Sequence, residues 1–184
     1  MKLSLTRPDE AALSAFLSGD LGTFTYPEVG ATNAGADVPG YDNDHRRVRL
    51  GEGEETFEAA KVALRRWAQF PPAWTFISPL APLEAGQTVA MCARAFGVWW
   101  VSAARIVYAI DEPRRFGLAY GTLAAHVECG EERFLIEWDE KDGSIWYDLR
   151  AFSRPRRLLI RLGYPLARRL QKRFAAESGA AILP

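Results

Sequence analysis

The densest cluster of titratable side chains in the sequence is His126-Val127-Glu128-Cys129, with Glu131 and Glu132 just beyond. An imidazole two residues from a carboxylate can serve as an acid–base pair or supply two metal ligands. The spacing fits no standard zinc pattern and a third ligand would have to come from elsewhere, so no metal is assigned. The competing reading is a solvated hairpin loop. A second set is Tyr26-Pro27-Glu28-Val29-Gly30, a phenol and a carboxylate beside a glycine hinge. Lying across a cavity mouth, it would offer Tyr26 and Glu28 to a ligand's polar end. The favoured alternative is a loop that wraps the body, with Tyr26 in a groove and Glu28 on backbone donors.

A Ser–His–carboxylate triad needs its members to meet only in space, but the available histidines are His45 and His126, and no serine sits in a nucleophile-elbow pattern. The sequence carries no phosphate loop, dinucleotide-type glycine pattern or paired-cysteine zinc signature. Arg94, Arg105, Asp148 and Arg150 interrupt otherwise apolar strands, either as ion pairs at a pocket's polar end or, more commonly, on a wet face. Gly117, Ala119 and Gly121 share one strand face, leaving room for a close-packed helix or a ligand, while Phe116, Leu118 and Tyr120 share the other. Trp74, Trp99, Trp100, Trp138 and Trp146 serve a core first and a cavity lining second.

These residues need a frame. Pro8 to Leu17 reads as a short helix ended by Gly19, and 20–44 is a long irregular loop rich in Gly, Pro, Asn and Asp. His45–Leu50 is a candidate strand. Phe57, Ala60, Leu64 and Trp67 mark a helix over 54–70, with glutamates at its start, arginines near its end and Pro71-Pro72 as its stop. The period then changes to two, with strands predicted at 75–78, 88–96, 98–111, 115–123, 132–139 and 144–153. Short turns make these strands antiparallel. A helix over 155–176 follows, with a stripe of Leu159, Leu162, Leu166, Leu170 and Phe174, a kink or break at Gly163-Tyr164-Pro165, and a tail from 177 to 184 that frays. One helix cannot cover a flat sheet of this size. A curled sheet would cover its own inner face and leave space beside the helix.

Composition restricts the function classes. The 184 residues suit a single domain, 1–184, with balanced charge, 23 basic against 23 acidic residues. The balance hides a basic end: Arg154, Arg156, Arg157, Arg161, Arg168, Arg169, Lys172 and Arg173 precede Glu177 with no intervening acid. That face is a solvated helix surface in the simplest reading and a candidate contact for an anionic membrane surface in the other. No nucleic-acid motif accompanies it, and nucleic acid is not an expected partner. Two widely spaced cysteines, no apolar leader and no membrane-length run point to the cytoplasm.

The segments 24–32 (Phe-Thr-Tyr-Pro-Glu-Val-Gly-Ala-Thr), 115–123 (Arg-Phe-Gly-Leu-Ala-Tyr-Gly-Thr-Leu), 130–134 (Gly-Glu-Glu-Arg-Phe), 144–148 (Ser-Ile-Trp-Tyr-Asp) and 151–155 (Ala-Phe-Ser-Arg-Pro) together resemble the bacterial and plant domain-of-unknown-function family numbered nineteen-ninety. That family is similar to the START-like, SRPBCC superfamily. The resemblance implies an α+β helix-grip fold, a curved antiparallel sheet around a long C-terminal helix, with an apolar cavity for a lipid or other hydrophobic small molecule. It supplies no catalytic residue and no cofactor. The expected function is binding of such a molecule. The alternatives are an enzyme of hydrolase, cyclase or isomerase type acting on it, with Glu28, His126 and Glu128 or Tyr26 as acid–base groups, and an interaction module using the arginine-rich helix. The candidate ligand-binding residues are Tyr26, Glu28, Arg105, Tyr120, His126, Trp146 and Asp148.

Overall fold

A computed structural model describes residues 1–156 and 164–183. The elements run β1 (Lys2–Ser4), α1 (Glu10–Leu17), a 3-10 turn (Ala31–Ala34), β2 (Asp42–Glu52), α2 (Gly53–Arg65), β3 (Thr75–Ser78), β4 (Thr88–Ala95), β5 (Val98–Glu112), β6 (Arg115–Thr122), β7 (Glu128–Trp138), β8 (Ser144–Pro155) and α3 (Tyr164–Ile182). One eight-stranded antiparallel sheet has the order β2-β8-β7-β6-β5-β4-β3, and β1 pairs with β5. The meander from β3 to β8 follows from period-two alternation and short turns, as expected. The expected α+β architecture, a long antiparallel sheet with a C-terminal helix against it, is what the structure shows. Among the described residues no helix is long and apolar enough to cross a membrane.

The inner face of the sheet presents Leu118, Tyr120, Phe134, Ile136, Ile145, Tyr147 and Leu149, all buried. Against them pack Phe57, Ala60 and Leu64 of α2, then Trp67 and Phe70 beyond its end. Fully burying a side chain such as Phe57 or Leu64 stabilises by about 1.5–3 kcal/mol, so this helix is a main support of the inner face. Curling the sheet around one terminal helix was expected to leave space. Instead α2 and its trailing turn enter the curl, and the rings of Phe70, Tyr120, Phe134 and Phe174 fill it at centroid separations of 5.2–6.3 Å.

The outer face is covered too. Leu13 of α1 packs on Ala90, Cys92, Trp99 and Val101. Helix α1 is set by Asp9, whose carboxylate accepts the Ala12 N–H at 2.8 Å. The loop between α1 and β2 lies over β6, β7 and β8, burying Tyr26 and Val38 with Cys129 and Phe152. It does not close the mouth of the grip. A Cβ at Gly121 would overlap the Tyr26 hydroxyl and lie 2.9 Å from Phe24 Cδ1, so this glycine receives the loop's aromatics rather than a helix or a ligand, whereas a Cβ at Gly117 would overlap the Phe134 carbonyl oxygen of β7.

The C-terminal helix departs most from expectation. Strand β8 continues to Pro155, because Glu128 pairs with it in register, and the helix is described from Tyr164. Leu159, Leu162 and Gly163 lie outside the described residues. Leu166 is exposed, and the buried positions are Ser178, Gly179 and Ile182, in the stretch expected to fray. Gly179 explains the difference: a Cβ there would sit 2.9 Å from Val48 Cγ2 and 3.4 Å from Tyr147, so the missing side chain lets the helix end press onto the sheet. Strand β1 also went unread, since three residues cannot display a period.

Candidate functional site

Alternation along β7 places Glu131 and Glu132 on opposite faces of the sheet. The outer carboxylate, Glu131, is enclosed by the loop. It accepts hydrogen bonds from the Tyr26 hydroxyl at 2.8 Å, the Gly30 N–H at 2.7 Å, the Thr32 N–H at 3.1 Å and the Thr32 hydroxyl. Arg133 continues the network, donating to the Thr32 carbonyl at 3.2 Å and to Asp148 Oδ1 at 2.7 Å. His45 Nε2 meets the other Asp148 oxygen at 2.7 Å. Desolvation pushes the Asp148 carboxyl upward, but His45 and Arg133 outweigh it and hold the group below its ordinary range. Burial, then the charge of Glu131, keeps Tyr26 protonated far above the usual phenol range. Every carboxylate in this set has its donors, so the arrangement is a structural clasp.

The inner carboxylate, Glu132, has different surroundings. The Tyr120 hydroxyl donates to it, and Phe70 and Phe134 lie against Tyr120. Burial raises its pKa to about 7; the Tyr120 bond opposes this, and the neighbouring charges of Asp44 and Glu128 add to it. Glu128, four residues earlier on the same face of the same strand, is likewise pushed to about 7 by burial. Its carboxylate accepts from Gln171 Nε2 at 2.6 Å, which also reaches Ser153 Oγ at 3.1 Å. Arg168 of α3 grips Asp44 through two bonds of 2.6 and 2.7 Å. The N-terminal half of α3 is therefore tied down mainly by polar side chains, above an aromatic floor and two carboxyl groups poised near neutrality. Such a combination of burial and shifted acidity makes this a candidate functional site.

The candidate ligand-binding residues do not converge. Tyr120 alone among them faces the interior beside Glu132. Tyr26 belongs to the outer clasp, and Glu28 accepts from Tyr41 Oη at 2.6 Å. Arg105, on the outer face, donates to Thr88 Oγ1 at 3.2 Å. Trp146 lies under the Arg47 guanidinium at 4.8 Å, and Asp148 is buried in the clasp instead of standing on a wet face. His126 caps the start of β7, its Nδ1 accepting the Glu128 N–H at 3.1 Å, and burial lowers its pKa to about 4. It is a neutral acceptor, bonded to the Glu128 backbone rather than to its carboxylate. Sequence reading passed over Glu132 as a site residue, yet its register with Phe134 and Ile136 was a usable signal. Among the described residues no three His, Cys, Asp or Glu side chains are grouped to hold a metal.

The arginine-rich end is also partly committed. Arg168 is bound to Asp44, Arg173 to Glu177 at 2.6 Å, and Arg154 lies over the Tyr41 ring at 4.5 Å. Arg157 and Arg161 lie outside the described residues.

Residues 25–181 match the model of a family described as Domain of unknown function (DUF1990). The chain is 38% identical over 154 residues to a UPF0548 protein of Arabidopsis thaliana, covering 80% of this chain and 74% of that one. It is 36% identical over 185 residues to a UPF0548 protein of Deinococcus radiodurans, covering 93% and 92%. Among solved structures it is similar to Ara h 8.0201, with a TM-score of 0.46, 15% identity and coverage of 78% of this chain and 99% of that one. Human STARD10 gives a TM-score of 0.40 and 11% identity, over 94% and 80%.

Proposed function

The chain belongs to the DUF1990 family, and from that premise we propose that it binds a small hydrophobic molecule or lipid at the inner face of the sheet, beneath the first half of α3. The observation that carries this reading is Glu132: a carboxyl group among aromatic rings, bonded to Tyr120, with acidic rather than basic neighbours. Held protonated near pH 7, it donates to a ligand carbonyl or hydroxyl; ionised, it accepts from a hydroxyl or amine. The apolar part of the ligand packs on Phe70, Phe134 and Phe174. Room is made by lifting the first turns of α3, whose polar ties to Asp44, Glu128 and Ser153 exchange for water, while Phe174 and the buried end at Gly179 and Ile182 stay on the sheet.

Native mass spectrometry of protein purified from cells, with organic extraction, tests the proposal. The expected result is a bound apolar species, and weaker binding of a fluorescent apolar probe in Glu132→Gln and Tyr120→Phe. Absence of any extracted species together with no probe binding would sink it.

A second reading has one specific observation in its favour. Burial raises both Glu128 and Glu132 to about 7, and the Glu128 charge adds to the shift at Glu132, which suits general acid–base chemistry on the bound molecule. The acid–base set expected earlier is not brought together, since Tyr26 and Glu28 lie with the loop. Carbon-detected NMR titration of the glutamates would show two coupled transitions near pH 7 on this reading, and ordinary values near 4.5 would remove it.

A further inference from the structure

Two bulky residues adopt a left-handed backbone: Trp67, with φ 58°, and Phe96, with φ 55°. Such a conformation is an outlier for a large side chain and needs a compensating interaction. Trp67 has one. It is 3% exposed, packs in the main core, and its indole N–H donates to the Ala81 carbonyl at 3.0 Å. Phe96 is 64% exposed.

Phe96 and Gly97 form the two-residue loop of the β4–β5 hairpin, with Ala95 paired to Val98. Two-residue hairpins with positive φ at both positions favour Asn-Gly or Asp-Gly. A phenylalanine in the first place strains the turn and lifts an aromatic ring into solvent. Its neighbours are apolar as well. Strand β1 pairs Leu3 with Trp100 and Ser4 with Trp99, and this register carries Leu5 toward Val98 at the same rim. Leu5 is 83% exposed and Leu3 51%. The Trp100 indole donates to the Ala95 carbonyl at 3.3 Å, beside the turn.

The charges carried by the two strands at this rim are basic. Residues 1–8 and 88–98 contain no aspartate or glutamate, and they hold Lys2, Arg7 and Arg94, with Asp9 bordering the groove beside Lys2 and Arg7. Lys2 and Arg94 are exposed, and Arg7 lies over the Phe76 ring at 4.3 Å. The next acids along the chain open α1, and Asp9 is bound to that helix's first turn. Exposed aromatic and leucine side chains with cations on the adjoining strands match the boundary of a bilayer with anionic headgroups. We infer that the β4–β5 tip and the adjoining β1 edge, led by Phe96 and Leu5, dock the protein on an anionic lipid surface.

Vesicle co-sedimentation of the full chain tests this, with vesicles of phosphatidylcholine alone and with phosphatidylserine added. The wild type should bind the mixed vesicles and lose binding as salt rises. Phe96→Asp and Leu5→Asp should each weaken it at least tenfold. Phe96→Gly separates docking from folding: it should raise the thermal midpoint, because glycine relaxes the turn, while lowering vesicle binding. Several results would overturn the inference. They are no binding at low salt, equal binding by all these variants, or loss confined to Arg169→Glu and Lys172→Glu on α3. A change only in self-association on size-exclusion chromatography would reassign the patch to contacts between copies.

Discussion

Glu131 and Glu132 are adjacent in sequence, share a strand and differ only in the face they point to. The outer one is surrounded by donors from a loop that is otherwise irregular. The inner one sits among rings, with a single tyrosine hydroxyl donating to it among the described bonds. A buried carboxylate with several donors stabilises its surroundings, whereas one without a cation or backbone donors moves toward the neutral acid. The comparison teaches that burial alone does not identify a site. The number and kind of partners separate a clasp from a place where a ligand's own polar group is still wanted.

Substitutions should break that comparison unequally. The largest effect is expected for Glu131→Ala, which strands the Tyr26 hydroxyl and two backbone N–H groups. Urea denaturation should show a loss of about 3 kcal/mol or more, and a loss under about 1 kcal/mol would refute the clasp. Gly121→Ala should follow, at about 1–3 kcal/mol, because the new methyl overlaps Tyr26. Limited proteolysis should then cut within 20–41 sooner than in the wild type.

Glu132→Gln should act in the opposite sense and only above acid pH. The folded pKa near 7 exceeds the ordinary 4.5. Below 4.5 both states are protonated and the group contributes nothing. Between 4.5 and 7 the unfolded chain ionises while the folded one keeps its proton, so stability falls as pH rises, and the full loss is present above 7. The variant should therefore gain stability relative to wild type at pH 8 and match it near pH 4 in thermal melts. The smallest effect is expected from His45→Ala, about 1 kcal/mol at neutral pH, since Arg133 still holds Asp148. Because the Asp148 carboxyl lies below its usual range, its stabilisation is present above pH 3.8 and fades as the pH falls through the lower folded value. The wild type should thus lose its advantage over this variant in strong acid.

Much of the fold was legible because it is written in short periods. Phe134, Ile136 and their alternation with Arg133 and Leu135 define β7 without knowledge of its partners. The sharp stop at Pro71-Pro72 and the turn at Asp142-Gly143 are local chemistry as well. The candidate site was less legible because its contacts are distant. Nothing near Glu131 announces Tyr26, and nothing near Glu128 announces Gln171. The helix end at Gly179 misled for a related reason. Glycine and alanine near a terminus resemble a fraying tail, and only Val48 and Tyr147 across the fold turn that smallness into close packing. The entry of α2 into the curl was not legible either, because its apolar face could be read as a helix but given no location.

The clasp also has a bearing on how the chain assembles. Its bonds from Tyr26, Gly30 and Thr32 to Glu131 span 105, 101 and 99 residues. Contacts this remote in sequence cannot reward the chain until β6 and β7 have already paired, so they contribute late on the folding route. Mutations in 24–32 should then leave the refolding rate nearly unchanged and speed unfolding instead. The loop would act as a latch on the native state, setting how long the molecule stays folded rather than how quickly it gets there.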